Sequence, residues 1–451
     1  MPALAYATST YQRADLPRLR VLNQYVEQTP ATPGDPVVLL ARPVLTQTAS
    51  LGAGPIRGVF SAPNVFGSDV FAVSGTLLFR GAVSIGTIPG TARVSMASTI
   101  SVVMIANDAG LYTTDGVTVT AVAFPDGAGV SSVGYLAGYA FAIRADTRRL
   151  YFTLEPVTWD GLDYVSAEQD TGNIVGHAIV GDQIWLFCER TTEVFTPTGN
   201  PDSPFQRIEG RIYDKGCLAR DTLAKADNSV TWVGNDRIVY RGDNAPVRIS
   251  DFGIEERLLN SEAGDLRAWS FPWNGHIWYA LRTADGTFVY DYATQQWYEF
   301  ASYGRDVWRA HVGVFRDGVV IAGDDTDGAL WGLSDSELTE AGNVMERRFT
   351  AVLRASPVVV DNISLDASVG QSPSFGDDAI IEMRQSRDGG NTWSVWRPVT
   401  LGPRGNFRAR PVWRRCGLAD GKTVFEFRVT DATPWRLSSV RVNDALSGRS
   451  R

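Results

Sequence analysis

Short apolar runs are separated by polar turns between residues 274 and 302, where the sequence reads NGHIWYALRTADGTFVYDYATQQWYEFAS. β-Branched and aromatic residues predict extended segments at His276–Arg282, Thr287–Asp291 and Trp297–Phe300. Residues that tolerate positive φ lie between the first two segments, at Ala284–Gly286, so these segments are expected to form a hairpin. A three-stranded ribbon has too little core and two unpaired edges. It must therefore pack against similar units.

The same pattern, a hairpin return that ends in a bulky aromatic residue, recurs along the chain. The aromatic residues are Phe79, Tyr112, Tyr151, Phe195, Tyr240, Tyr290 and Trp331. They are about 33 to 50 residues apart, which is the period of propeller blades. Short strands, Gly-rich turns and no helical runs predict an all-β chain in which residues 56–345 form a β-propeller. The count favours seven blades, or six if one unit closes the ring differently. Within the propeller, Asn200–Gly216 is longer than a blade turn needs and is predicted as a contact loop.

Residues 1–55 are predicted as an extended arm because five prolines interrupt them: Pro17, Pro30, Pro33, Pro36 and Pro43. Between the prolines, Leu19–Val26 and Val37–Leu45 are expected to be single extended segments. Such a strand can complete a blade that is built mostly by the other end of the ring, which hides a free edge. A tail that runs along the surface is an equal alternative.

Residues 346–451 have a different character and predict a separate β-sandwich. The six predicted strands are Arg348–Leu353, Val358–Ile363, Ala379–Ser386, Trp393–Val399, Val424–Thr430 and Trp435–Val442. Residues 401–451 contain ten Arg and one Lys against four acidic residues, so their net charge is about +7 and that of the remainder about −15. A basic end on an acidic body predicts docking to an acidic neighbour.

The overall charge and the cysteines narrow the classes of function. A net charge of −8 argues against general affinity for nucleic acid, because phosphate binding needs a surplus of Lys and Arg. Cys188, Cys217 and Cys416 are far apart and odd in number, which argues against a disulfide framework and for a reducing compartment. The start of the chain lacks the pattern of an export signal, and no run approaches about 18 apolar residues. We therefore expect a soluble chain that inserts into no membrane.

Residues 386–393, SRDGGNTW, resemble an Asp-box, a hairpin signature common in sialidases and other β proteins. Asp388 is expected to accept hydrogen bonds from backbone N–H groups of the turn, and Trp393 to pack beneath it. Turn chemistry explains each residue, and no recognisable set of arginines, Tyr nucleophile and acid accompanies the box. A structural role is therefore predicted.

Other candidate residues also have structural explanations. Asp324–Gly328 could offer carboxylates to Ca²⁺, but the later Glu of a calcium loop is missing, so a solvated turn is predicted. His177, His276 and His311 lack the spacing of metal ligands, and those in predicted strands are expected to be hydrogen-bonded structural residues. Arg241–Asp243, an RGD tripeptide, is expected to be a hairpin turn. The sequence predicts no catalytic, cofactor-binding or metal-binding residue.

Seven segments carry a pattern of strand and turn residues that is specific when they are taken together: Arg57–Val59, Val70–Arg80, Ala92–Ala97, Ile184–Thr198, Lys215–Cys217, Val412–Arg415 and Phe425–Val429. In this pattern the chain resembles the packaged-DNA stabilisation proteins, or tail hub and nozzle proteins, of short-tailed bacteriophages. The resemblance covers most of the chain. The loop lengths and the Asp-box depart from the family pattern.

The resemblance implies a structural, non-enzymatic protein of the virion tail, made and assembled in the cytoplasm of the bacterial host, with no cofactor. Such proteins form a homo-oligomeric ring, usually a hexamer, beneath the portal and its adaptor protein. The ring extends the channel for double-stranded DNA, helps to retain the genome, contacts it transiently, and anchors a tail needle, tailspikes or fibres. Two other classes stay open. A carbohydrate-active or carbohydrate-binding propeller would bring acidic and aromatic residues together on one face, and a monomeric interaction platform would form no ring.

Overall fold

Seven four-stranded antiparallel sheets follow one another as the blades of a propeller in the computed structural model of the protein, which describes residues 3–4, 8, 19–28, 37–62, 65–127, 129–353, 357–373 and 377–444. The first strand of each blade is the innermost, because it is the strand that contacts the neighbouring blades. The prediction of a propeller is confirmed, and the blade count is seven.

From the inner to the outer strand, the blades contain Ile56–Phe60, Phe71–Ser74, Leu77–Arg80 and Val83–Thr87 (blade 1); Ser95–Ser98, Val103–Asn107, Gly110–Thr114 and Val119–Val122 (blade 2); Val130–Leu136, Tyr139–Arg144, Arg149–Thr153 and Tyr164–Ser166 (blade 3); Ile174–Val180, Gln183–Cys188, Thr192–Pro197 and Phe205–Tyr213 (blade 4); Ala224–Ala226, Ser229–Val233, Val239–Gly242 and Pro246–Arg248 (blade 5); Arg267–Trp273, His276–Arg282, Thr287–Asp291 and Gln296–Phe300 (blade 6); and Ala310–Arg316, Val319–Asp324, Ala329–Ser334 and Val44–Ser50 (blade 7).

Blade 7 takes its outer strand from the other end of the chain. Val44–Ser50 pairs antiparallel with Ala329–Ser334, so a segment that precedes blade 1 closes the ring. Of the two roles considered for the N-terminal arm, completion of a blade is the one that this segment has. Residues 1–2, 5–7, 9–18 and 29–36 of the predicted arm lie outside the described residues.

The outer strand of blade 4 corrects one prediction. Phe205–Tyr213 is a nine-residue strand that pairs with Thr192–Pro197, so the expected loop at Asn200–Gly216 is wrong for these residues. An outermost strand pairs on one side only and is largely solvated, so it accepts charged side chains such as Arg207 and Glu209. The charged composition therefore concealed the strand.

The structure also contains one short helix where no helical run was expected. Phe252–Leu259 connects blades 5 and 6, and the Asp251 carboxylate caps it by accepting a hydrogen bond from the Ile254 N–H at 3.0 Å. Within the described part of the chain, 3₁₀ turns form at Phe66–Ser68, Pro125–Gly127, Arg220–Thr222 and Ala263–Asp265. Among the described residues, no helix has the length and apolar character that crossing a membrane requires.

The C-terminal residues and the start of the chain together build a β-sandwich. One sheet contains Arg347–Val352, Val424–Val429, Asp378–Ser386 and Arg397–Pro403, and the other contains Gln24–Gln28, Val37–Ala41, Arg436–Val442, Val358–Ala367 and Val412–Ala419. Ala3–Leu4 also pairs with Arg347–Val352. A two-residue hairpin, Thr339–Glu340 with Asn343–Val344, precedes the sandwich.

The short strand Val21–Leu22 joins the sandwich to the propeller. It pairs antiparallel with Arg347–Val352 and parallel with Gln296–Phe300, the outer strand of blade 6. Blade 6 and one sandwich sheet therefore form a single ten-stranded sheet.

Buried apolar side chains form seven clusters, and each fills one interface between neighbouring blades. The cluster between blades 6 and 7 contains Trp308 and Trp331 and continues without a break to Phe427 and Trp413 in the sandwich. Because propeller and sandwich share this core, they form one rigid unit.

Candidate functional site

The propeller axis is crossed by side chains at the end where the inner strands begin. Arg93, which precedes the inner strand of blade 2, donates from Nη1 to the carbonyl oxygens of Asp221 at 3.0 Å and Ala268 at 2.8 Å. These acceptors belong to the approach to blade 5 and to the inner strand of blade 6. One guanidinium therefore links three blades across the centre.

Arg220 crosses the same region from the approach to blade 5. Its Nη2 donates to the carbonyl of Arg93 at 2.9 Å, its Nη1 donates to the carbonyl of Ser131 in blade 3, and its Nε pairs with its neighbour Asp221 at 2.9 Å. The side chain also lies against blade 4, where a Cβ added to Gly176 would approach Arg220 Cγ to 3.0 Å.

His311 completes this set of contacts. Its Nε2 is 2.8 Å from the carbonyl oxygen of Ile56, so it joins blade 7 to blade 1. Burial and the charges of Arg93 and Arg267 lower the pKa of His311 to about 4, so the ring is neutral at pH 7. Contacts at this end reach all seven blades. They leave no passage for a DNA duplex, whose major groove alone is about 12 Å wide.

A buried arginine holds the propeller and the sandwich together. Arg42 donates to Asn23 Oδ1 at 2.8 Å, to the Pro43 carbonyl at 2.8 Å and to the Ala301 carbonyl at 2.9 Å. Its Nη1 also lies 2.8 Å from Glu340 Oε2, and the two side chains are 0% and 2% exposed. This contact is an ion pair without the alignment of a hydrogen bond, since Oε2 accepts none from the described residues.

His276 makes a second link between the two parts. It lies between two carboxylates, with Nδ1 2.7 Å from Asp291 Oδ2 in blade 6 and Nε2 2.9 Å from Glu27 Oε2 in the sandwich. Burial lowers the pKa of His276, but the hydrogen bonds to Asp291 and Glu27 outweigh burial and raise it. The protonated ring donates to both carboxylates and so connects the two parts.

A cavity of about 500 Å³ lies at the same junction. Arg20, Tyr303, Arg305, Asp306 and Glu346 are among the residues that line it. Its charged groups are partly neutralised, because Arg20 pairs with the Glu299 carboxylate and Glu346 pairs with Arg348. No group of three or more His, Cys, Asp or Glu side chains in the described part of the chain is arranged to hold a metal ion.

Asp388 makes the turn hydrogen bonds that the Asp-box sequence predicts. Asp388 Oδ1 accepts from the backbone N–H groups of Asn391 at 3.0 Å and Thr392 at 2.9 Å, and from Ser386 Oγ at 2.7 Å. These bonds hold the pKa of the Asp388 carboxyl well below its usual range. Trp393 lies under the guanidinium of Arg384, 4.4 Å from the ring centre.

The acidic turn Asp324–Gly328 is not the solvated turn that was predicted. Asp324 is fully buried and accepts a hydrogen bond from Trp331 Nε1 at 2.9 Å. Asp325 forms ion pairs with Arg282 and Arg305. The sequence shows the carboxylates but not these arginines, which come from blade 6 and the segment after it.

The remaining candidates have structural surroundings. His177 Nδ1 lies 2.9 Å from Ser132 Oγ, and burial lowers its pKa to about 4. In the RGD tripeptide, Arg241 and Gly242 belong to a strand and only Asp243 lies in the turn. All three cysteines are free and buried. The axial arginines were not identified from the sequence, although Arg93 lies in one of the segments that carry the family resemblance.

Two surfaces stand out on the outside of the molecule. We call the first the apolar turn face. It lies on blades 7, 1, 2 and 3, at the end of the propeller axis opposite the closed end, where exposed apolar residues lie in or beside the turns between strands. These residues are Phe315, Val319, Val83, Ile100, Val117, Leu154, Val157 and Leu162. The same turns carry the carboxylates Asp115, Glu155, Asp160, Asp163 and Asp317.

We call the second surface the basic edge. It covers residues 404–418 of the sandwich, where exposed arginines lie beside exposed Phe407 and Leu418. Arg408, Arg414 and Arg415 make no ion pair with any described residue.

These features define an all-β structural unit in which a seven-bladed propeller and a β-sandwich share one core. The chain belongs to the bacteriophage P22 Gp10 family, the tail hub or nozzle family of short-tailed phages: the family model described as "Bacteriophage P22 Gp10, beta-propeller" matches residues 27–337, and "Bacteriophage P22 Gp10, beta-sandwich" matches residues 346–444. The protein is therefore a structural component of a phage tail, and the resemblance found in the sequence is confirmed.

Solved propeller structures are similar to the chain at low identity. They include the β-propeller domain of Cps50 (Swd1) from Myceliophteria thermophila (10% identity, TM-score 0.44, covering 64% of this chain and 99% of that one). YCF48 from Cyanidioschyzon merolae has 12% identity and a TM-score of 0.41, covering 65% and 99%. The computationally designed Ika8 protein has 14% identity and a TM-score of 0.39, covering 70% and 99%. A comparison with curated protein sequences gives no match.

Proposed function

We propose that this tail protein is the subunit of a homohexameric ring below the portal and its adaptor protein. The ring extends the DNA channel, helps to retain the packaged genome and anchors a tail needle, tailspikes or fibres. It assembles in the host cytoplasm. The role is mechanical, and the protein catalyses no reaction.

The closed propeller axis is the observation that carries the proposal. Arg93 and Arg220 form hydrogen bonds across the centre of the propeller, so a duplex cannot pass through a single subunit. A DNA channel built from this protein must then lie between copies. The core shared by the propeller and the sandwich supports this role, because a wall that transmits load needs rigid subunits.

A cyclic ring needs two different surfaces that complement each other on every subunit. The apolar turn face is acidic and the basic edge is rich in arginine, and both expose large apolar side chains. We propose that the apolar turn face of one copy contacts the basic edge of the next. Opposite charges would set the orientation, and the apolar residues would supply the buried area.

The assembly state tests the ring directly. Native mass spectrometry and negative-stain electron microscopy of the purified chain, alone and with the portal–adaptor complex, should show a closed ring of six copies in at least the second sample. A chain that stays monomeric with the complex and in intact virions would overturn the proposal.

Single substitutions separate the proposed contact from the ring itself. Ile100→Asp, on the apolar turn face where Ile100 is 83% exposed, should prevent ring assembly without unfolding the subunit. Val247→Asp is the matched control, because Val247 is 59% exposed on the outer strand of blade 5, away from that face. If both variants form a ring like the wild type, the proposed contact between the apolar turn face and the basic edge is wrong, although ring formation itself is not contradicted.

The channel wall should hold DNA weakly, so that the duplex can slide. Each phosphate-binding Arg would add a salt-dependent attachment that must break in transit. Strong, salt-sensitive duplex binding by the isolated subunit would contradict this part of the proposal. Sugar release from bacterial surface polysaccharides in a reducing-end assay would contradict the non-enzymatic role.

A further inference from the structure

The guanidinium of Arg267 lies at the closed end of the propeller axis without a partner among the residues that the structure describes. It begins the inner strand of blade 6, next to Ala268, whose carbonyl accepts from Arg93. Arg267 forms no hydrogen bond or ion pair with a described residue, whereas its strand neighbour Arg282 pairs with Asp325. Burial lowers the pKa of the Arg93 guanidinium, and the nearby positive charges of Arg220 and Arg267 lower it further. A partly buried cation without a counter-ion leaves strong donors unused.

Arg93 also has donors to spare. Both of its hydrogen bonds use Nη1, so Nε and Nη2 have no partner in the described structure. Neither these atoms nor those of Arg267 are among the buried polar atoms that lack a partner, so solvent reaches them. An ion could therefore approach the axis from this end.

The charge at this point is positive although the chain as a whole is acidic. Arg93, Arg220 and Arg267 come together with the carboxylate of Asp221, which already pairs with Arg220. A second carboxylate, Asp325, acts on His311, but it is already paired with Arg282 and Arg305. With His311 neutral, these groups carry two uncompensated positive charges. A hydrogen phosphate dianion would balance them, and it would accept the unused hydrogen bonds of two guanidiniums, which match oxyanion geometry.

We propose that the closed end of the propeller axis is a binding site for a small oxyanion, with Arg93 and Arg267 as its donors. The ion would bind between inner strands of opposite blades and so link them. The site belongs to the single subunit, and it does not depend on ring formation.

Thermal unfolding of the full-length chain tests the site with sodium phosphate as the probe. Phosphate should raise the midpoint saturably above sodium chloride at matched ionic strength. Arg267→Gln should weaken the phosphate effect about tenfold or more, because it removes a charged donor. Arg316→Gln is the control, since Arg316 is a half-buried arginine at the other end of the inner strands and its ion pair among the described residues is with Asp317.

If Arg267→Gln does not fold, an NMR titration of the histidines in the wild-type chain tests the site instead. The chain has three His residues, so the His311 signal can be assigned by substitution in histidine-labelled protein. Bound phosphate should raise the pKa of His311, because a nearby anion stabilises the protonated ring. Equal effects of phosphate and chloride on the wild type, or an equal phosphate effect in wild type and Arg267→Gln, would overturn the proposal.

Discussion

The buried ion pair between Arg42 and Glu340 makes the strongest prediction about stability. Arg42→Met keeps most of the side-chain volume but removes three hydrogen bonds and the charge that faces Glu340. Breaking a buried pair by removing one partner costs about 3–5 kcal/mol, since the other charge stays buried without compensation. The carbonyl of Ala301 and the Asn23 amide oxygen also lose a donor. We therefore expect Arg42→Met to lower the free energy of unfolding by about 4 kcal/mol or more.

A double-mutant cycle separates the charge from the packing. Glu340→Gln removes the charge that Arg42 compensates, so the double variant Arg42→Met with Glu340→Gln should be less destabilised than the sum of the single variants, by about 1–3 kcal/mol. Urea unfolding followed by tryptophan fluorescence is a suitable measurement, because Trp308 lies beside Arg42, with its ring centre 5.3 Å from the guanidinium carbon.

The control is an ion pair of the same type on the surface. Arg441→Met removes the contact with Asp366, whose side chain is 56% exposed against 43% for Arg441. Such a pair contributes about 0–1 kcal/mol. The reasoning is refuted if Arg42→Met costs no more than Arg441→Met, or if the two single effects in the cycle simply add.

Three further predictions follow from individual contacts. Burial lowers the pKa of His276, but its hydrogen bonds to Asp291 and Glu27 raise it above the ordinary 6.5. The stabilisation by His276 is therefore complete below about pH 6.5 and is lost as the pH rises through the raised pKa. The difference in unfolding free energy between wild type and His276→Gln should shrink as the pH rises above about 6.5, and growth of that difference would contradict the assignment. Gly216→Ala places a Cβ 2.3 Å from the Glu189 carbonyl oxygen and should cost about 1–3 kcal/mol in urea unfolding, whereas Gly264→Ala, with no atom within 4 Å, should change stability by less than about 0.5 kcal/mol. Burial raises the pKa of all three thiols, Cys188, Cys217 and Cys416. Ellman's reagent should therefore modify them slowly in the folded chain and rapidly in guanidinium chloride. Fast modification of the folded chain would contradict the buried positions of these thiols in the structure.

The sequence predicts strands well where neighbouring blades bury them. His276–Arg282 and Thr287–Asp291 have the predicted bounds, because nearly every position is buried and the strands are therefore rich in β-branched and aromatic residues, between turns that the sequence marks. The outer strand Phe205–Tyr213 was missed because it meets solvent and carries charges. The helix Phe252–Leu259 was missed because eight residues give too short a period to recognise.

The contacts that cross the fold could not be predicted from one sequence. Asp324 and Asp325 look like a solvated turn until arginines from neighbouring segments are placed beside them. The partners of Arg93 are about 130 and 175 residues further along the chain, a separation at which local patterning carries no information. Arg93, Arg220 and Arg267 therefore become a site only once the propeller closes.

Because Val44–Ser50 closes blade 7, that blade cannot be completed until a distant part of the chain has been synthesised. Its partner Ala329–Ser334 is made roughly 280 residues after this strand, a delay of about 14 to 56 s at ordinary translation rates. The hairpin formed by Gln24–Gln28 and Val37–Ala41 pairs with Arg436–Val442, which is synthesised later still. The nascent chain therefore presents strand edges that can pair wrongly until Arg436–Val442 has been made.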